Sequence, residues 1–258
     1  MEHPILFLCL ILEKLGLPSG FYYYEHADKY GILAKLLAPH MVYGYFICLL
    51  IIILAILGTR KREFIPRGLQ NFWEFTLESI YKFTYDNVPH GEGHSPNLVP
   101  LVYPLIVMFT LFILFSNFAG LIPGFMCPTA NLNVTLGLTL ITIVYYHLLG
   151  LRFKGIRYFK SFLGPFFNTP LGNLPVLAPL MLPTEVFSHL GRIISLSVRL
   201  FGNMMSKELL LGLLTFLAGK FFAPLPIMLL GVLVAFVQML IFITLSLAYF
   251  AGAVEEEH

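Results

Sequence analysis

Hydrophobic positions in this chain fall in long unbroken runs, not in the short alternating or amphipathic periods of a water-soluble domain. Runs at 41–58, 98–122 and 132–151 each approach the ~20 residues a helix needs to cross a hydrocarbon core of ~30 Å. Charged or Pro/Gly-rich sequence bounds each of them, so the pattern predicts three spanning helices. After Lys160 the pattern changes, predicting one helical stretch over 183–219 and a last one over 226–254. The expected fold is an all-α integral membrane protein, a single membrane domain over 1–258 with about five membrane-embedded helices. The stretch 183–219 would be roughly 55 Å long at ~1.5 Å per residue, nearly twice the core thickness. It cannot stand upright, and with no proline between Thr184 and Ala223 it is expected to tilt strongly and pair with the last helix as an antiparallel hairpin.

The flanking segments are less regular. Residues 64–85 set Leu69, Phe72, Trp73, Phe75, Leu77 and Ile80 among charged residues, the pattern of a helix lying in the membrane interface, with a short soluble cytoplasmic helix as the open alternative. At the N-terminus a short apolar run ending at Leu12 has neither a basic flank nor a small-residue cleavage site. It is too short to span, and 1–40 is read as an N-terminal segment on the outer side.

Composition agrees with the pattern: 58% of residues are hydrophobic and 12% charged, with mean hydropathy +0.82, whereas soluble domains carry about a quarter charged residues. Lipid is the main solvent. A net charge of +2 with dispersed basic residues argues against nucleic acid as a partner. Cys9, Cys48 and Cys127 are scattered and form neither a CxxC pair nor an even disulfide framework. Loop charge sets the expected orientation. Arg60, Lys61, Arg62, Arg67 and Lys82 lie in one connection and Arg152, Lys154, Arg157 and Lys160 in another, while 123–131 carries none. The N-terminus is therefore expected outside and the C-terminus in the cytoplasm.

Charges also occur where lipid should be. The predicted fourth helix carries Glu185, His189, Arg192, Arg199, Lys207 and Glu208, although a charge at the bilayer centre costs ~2.5–3.5 kcal/mol even on insertion scales. At helical spacing Glu185, Arg192, Arg199 and Asn203 fall within about 80° of one another, a polar stripe on an apolar helix. Glu208 points to the other side, ~13 Å beyond Arg199 along the axis. Packing between Glu185 and Arg199, or snorkelling of Arg192 and Lys207, is the structural alternative. Gln238, alone in the last helix, reads first as an interhelical hydrogen-bonding amide.

The segment Ser195-Leu196-Ser197-Val198-Arg199-Leu200-Phe201-Gly202-Asn203-Met204 strongly resembles the signature of subunit a of the rotary F-type ATP synthase. Asn117-Phe118-Ala119-Gly120-Leu121-Ile122-Pro123-Gly124, Pro183-Thr184-Glu185 and Val254-Glu255-Glu256-Glu257-His258 match that family in the same order. The resemblance implies a proton-translocating stator subunit in a bacterial inner membrane, with no catalytic centre and no cofactor of its own. It implies as partners the c subunits of a rotating ring, the peripheral-stalk b subunits and the remaining synthase subunits. Arg199 matches the essential arginine, which stays protonated and so acts as an electrostatic separator between two half-channels and not as a relay. Glu208 matches a relay position of the outer half-channel and Gln238 a glutamine near the arginine. Asn203 and Ser195 would order water there, and Glu185 and His189 are candidates for the cytoplasmic exit. Lys207 and Gly231 depart from the family pattern of a small residue before the glutamate and, in some relatives, a histidine on the last helix. The expectation is that Lys207 supplies what that histidine supplies.

Two rival classes remain. A secondary transporter with a midplane site would carry internal repeats, and none is found between the halves. A metalloenzyme would draw on His90, Glu92 and His94, but that polar loop lacks the HExxH spacing. The absence of a GxxxxGK[ST] segment assigns nucleotide chemistry to partners.

Overall fold

A computed structural model describes residues 38–60, 63–66, 68–89, 97–122, 125–155, 178–218 and 224–254. For 178–186, 215–218, 224, 225 and 227 it describes the backbone alone. Residues 1–37 of the predicted N-terminal segment, the His90/Glu92/His94 cluster and the C-terminal Glu255–His258 match lie outside the described residues.

Six α-helices make up the described chain: α1 Pro39–Thr59, α2 Leu69–Asn87, α3 Val99–Ala119, α4 Leu132–Lys154, α5 Ala178–Ala218 and α6 Pro224–Val254. A single 3₁₀ turn, Pro128–Ala130, sits between α3 and α4. Helices α1, α3, α4 and the Met228–Val254 part of α6 are long and apolar enough to cross a membrane. This is the all-α membrane fold expected from the runs. At 41 residues, α5 is roughly 60 Å long at ~1.5 Å per residue, against a core of ~30 Å.

Two helix starts differ from the sequence reading by five residues, the others by two or fewer. Helix α2 begins at Leu69, later than the predicted 64, because Pro66 restricts its predecessor to extended backbone and Gly68 takes a positive φ of 60°. Helix α5 begins at Ala178, ahead of Pro183, which sits close enough to the start to cost one backbone hydrogen bond without ending the helix.

The core lies where α3, α4, α5 and α6 meet. Val102, Ile106, Phe109 and Ile113 form one buried stripe of α3, and Phe109 meets Phe242 of α6 edge to face at 5.4 Å. Leu196, Leu200 and Met204, one turn apart, are the buried stripe of α5. Lipid supplies no hydrogen bonds, and four buried hydroxyls find an acceptor within their own helix. Thr110, Thr139, Thr142 and Ser246 each donate to the carbonyl four residues back. Helix α4 starts with Asn131 accepting from the Asn133 amide and ends where Gly155, at φ 56°, donates to the Leu151 carbonyl.

Helix α2 leans on α1 and α3 through its aromatic residues. The Trp73 indole donates to the Leu54 carbonyl at 3.0 Å, and the Tyr103 hydroxyl of α3 donates to the Leu77 carbonyl at 3.1 Å. The indole fits only because residue 58 is glycine: a Cβ there would stand 2.1 Å from Trp73 Cδ1. Trp73 is the one tryptophan in the chain, so its emission reports this joint directly. Gly58→Val should push the indole out and shift its emission to the red in the purified subunit reconstituted in lipid. Unchanged emission would mean that α2 does not dock through this notch.

Candidate functional site

Helices α5 and α6 present a broad exposed face that the rest of the described chain does not cover. On α5 it includes Phe187, Ile194, Val198 and Leu209, and on α6 Leu229, Leu233, Phe236 and Leu240. The two helices run antiparallel, because contacts that advance along α5 retreat along α6. Arg192 lies over the Tyr249 ring at 5.4 Å, Asn203 bonds Gln238, and Lys207 lies against Gly231.

Arg199 sits within this apolar face. Among the described side chains of α5 it is the one charged residue classed as exposed, for Arg192 and Glu208 are half-buried and Lys207 is buried. Its Nη2 donates to Ser195 Oγ, one turn earlier, at 3.4 Å. One turn later, Asn203 Nδ2 donates to Gln238 Oε1 at 2.6 Å, and Gln238 is itself only 2% exposed. Ser195, Arg199 and Asn203 thus form a short polar line, tied to α6 through Gln238.

Further along α5 a second polar group gathers around the turn between α3 and α4. Lys207 Nζ donates to the Asn117 carbonyl at 3.2 Å, while Glu208 accepts the Cys127 backbone N–H at 2.8 Å. The turn is held by a side-chain network: Thr129 Oγ1 donates to Asn117 Oδ1 at 2.8 Å, and the Cys127 thiol lies 3.2 Å from the Ser116 carbonyl. Asn117 Nδ2 reaches the Ala235 carbonyl of α6 at 3.5 Å. Asn117 therefore joins α3, the turn, α5 and α6 at one buried point. The close approach depends on Gly120, where a Cβ would come within 2.7 Å of Cys127 Cβ.

Toward the other end of α5 lies a third group. His189, 8% exposed, packs its ring against Tyr146 at 5.4 Å and His147 at 5.1 Å, both on α4. Between the second and third groups, Ser197 Oγ and Thr135 Oγ1 are 3.2 Å apart.

The sequence-derived candidates therefore divide by location. Ser195, Arg199, Asn203 and Gln238 stand together; Lys207 and Glu208 belong to the turn group; His189 is remote from both, and the Glu185 side chain lies outside the described residues. Sequence reasoning missed Asn117, Cys127, Thr129 and His147 as members of these groups. Asn117 was visible as an amide ending an apolar run, but the turn that folds Cys127 and Thr129 onto it is a tertiary feature. Among the described residues, no three His, Cys, Asp or Glu side chains gather as a metal site.

The family model described as the ATP synthase A chain matches residues 41–251. The chain belongs to the ATP synthase A chain family. Over the whole of both chains it is 43% identical to ATP synthase subunit a of Syntrophobacter fumaroxidans and 44% identical to that of Desulfotalea psychrophila. It is 40% identical to that of Desulfosudis oleivorans, again over both full lengths. An ATP synthase A chain is a multi-pass component of the membrane sector, concerned with ion transport, and works with other synthase subunits. With bacterial relatives and four apolar spans, this one is an inner-membrane protein.

Proposed function

We propose that this ATP synthase A chain carries protons between two offset half-channels and a rotating ring of c subunits, with Arg199 as the separator. The observation that carries the reading is a permanent cation exposed on an apolar helix face of membrane length. Such a charge is costly against lipid and favourable against a partner's carboxylate, which it would draw into the ionised form. A guanidinium does not release its proton, so ions arriving at Arg199 have to leave on the ring. Asn203, held by Gln238, and Ser195 keep the arginine's surroundings polar.

On this reading Glu208 is the relay of the outer half-channel, reached past the uncharged turn 125–131, and His189 with Glu185 belongs to the cytoplasmic exit. The basic residues Arg152 and Lys154 at the end of α4 support that orientation, with the C-terminus in the cytoplasm on this reading. Helix α2, with Phe72 and Phe75 exposed beside charged neighbours, suits the cytoplasmic interface. The b subunits of the peripheral stalk complete the stator. A secondary transporter is disfavoured because, among the described residues, the exposed cation lies on an outer face and not in an enclosed midplane cavity.

Lys207 fits the role of a histidine otherwise placed at Gly231. A Cβ at 231 would come 3.2 Å from Lys207 Cδ and 2.6 Å from Leu121 Cδ2, so the lysine stem already fills the space a larger residue would need. Lys207→Gly should abolish proton translocation and Lys207→Gly with Gly231→His should restore it; full activity in the single variant would remove the lysine from the path. For Arg199, the test is ATP-driven acidification of membrane vesicles carrying Arg199→Ala in the assembled complex. Loss of pumping with a raised passive proton leak is expected, and normal pumping would contradict the separator role.

A further inference from the structure

Two neighbouring polar side chains of α5 end on the same buried turn, and one of them is a base. Lys207, 7% exposed, lays its stem against Gly231 of α6, where a Cβ would come 3.2 Å from its Cδ. Its Nζ donates to the Asn117 carbonyl at 3.2 Å. Glu208, the next residue, is half-buried and accepts the Cys127 N–H at 2.8 Å. Asn117 and Cys127 belong to one network, since Thr129 Oγ1 donates to Asn117 Oδ1 and lies 2.9 Å from the Cys127 thiol. The oxygens of that network are already in use. Lys207 takes the Asn117 carbonyl, Thr129 takes Asn117 Oδ1, and the Cys127 thiol takes the Ser116 carbonyl at 3.2 Å.

A proton and an alkali cation make different demands on such a place. A proton needs one lone pair of the Glu208 carboxylate, whereas a hard cation is held by a shell of oxygens from carboxylate, carbonyl and water together. Coulomb repulsion by a nearby ammonium does not separate the two, because it acts on both alike. Occupation of the oxygens does. An ammonium on a four-carbon stem fills a cation position beside a carboxylate and, being covalently tethered, cannot exchange with ions in solution. We propose that Lys207 is such a tethered cation, which keeps Na⁺ and K⁺ off the Glu208 carboxylate so that the outer half-channel delivers protons alone. The inference rests on the reading of Glu208 as the relay of that half-channel. It gives this chain an ion selectivity of its own, exercised before any ion reaches a ring carboxylate.

The experiment uses the intact purified complex and reads radioactive Na⁺ bound per complex at equilibrium, with total salt held constant. Methionine ends one atom short of Nζ, so Lys207→Met keeps the stem against Gly231 and removes only the ammonium. The wild type should bind no sodium that depends on Glu208, and Glu208→Gln alone should leave its count unchanged. Lys207→Met should bind one more sodium ion per complex than the wild type, and adding Glu208→Gln should remove it. Lys207→Arg, which keeps a cation there, should bind as the wild type does. Lys207→Ala should match Lys207→Met and decides the question if methionine prevents assembly. A lysine that merely ties α5 to α3 would not hide a sodium site dependent on Glu208. Equal sodium counts with and without the ammonium, or an extra ion that survives Glu208→Gln, overturn the proposal. Failure of wild-type vesicles to acidify without sodium would instead contradict the proposed proton path, and the sodium count would still decide the role of the lysine.

Discussion

A cation that cannot be neutralised, standing on a helix face that lipid alone would disfavour, is the constraint around which the rest of the molecule is organised. Arg199 is exposed between Val198 and the buried Leu200, with only the Ser195 hydroxyl as its described hydrogen-bond partner. Coulomb attraction to a carboxylate in a low-dielectric setting far exceeds its value in water, so on the proposed reading a second subunit supplies the counterpart. The family to which the chain belongs is a component of a larger assembly.

Holding one charge at a fixed height requires a rigid wall behind it. Leu196, Leu200 and Met204 anchor α5 from the opposite side, and the antiparallel register with α6 is fixed at separate levels by Arg192–Tyr249, Asn203–Gln238 and Lys207–Gly231. Asn117 then ties both helices to α3 and to the turn that caps Glu208. The hydrogen bonds among these contacts each satisfy a polar group that lipid would leave unpaired, so the network that positions the site also stabilises the fold. Losing one partner would strand a buried donor or acceptor at about 1–3 kcal/mol.

The helices were legible in the sequence because membrane spans announce themselves by length and apolarity, and the runs at 41–58 and 132–151 became α1 and α4 with only small changes at their ends. The start of α2 was harder, since Pro66 and Gly68 break the backbone within a segment whose apolar periodicity continues. Arg199, Asn203, Lys207, Glu208 and Gln238 drew attention because polar residues in apolar helices are conspicuous. Cys127, Thr129 and His147 did not, for each looks ordinary in its own stretch and gains its place only when α4 and the preceding turn fold against α3 and α5. Intrahelical spacing can be read from a sequence; the partner across a helix contact cannot.

The central claim is that the Arg199 face of α5 meets a ring of c subunits, and site-directed disulfide formation tests it most directly. With Cys9, Cys48 and Cys127 replaced, single cysteines are introduced at Val198, which is half exposed, and at Leu196, 2% exposed and turned into the bundle. A second cysteine is placed beside the ring carboxylate, and the assembled complex is oxidised in its membrane. The account predicts a cross-link from position 198 and none from position 196. A cross-link from 196 instead, or from neither, would mean that Arg199 faces something other than the ring.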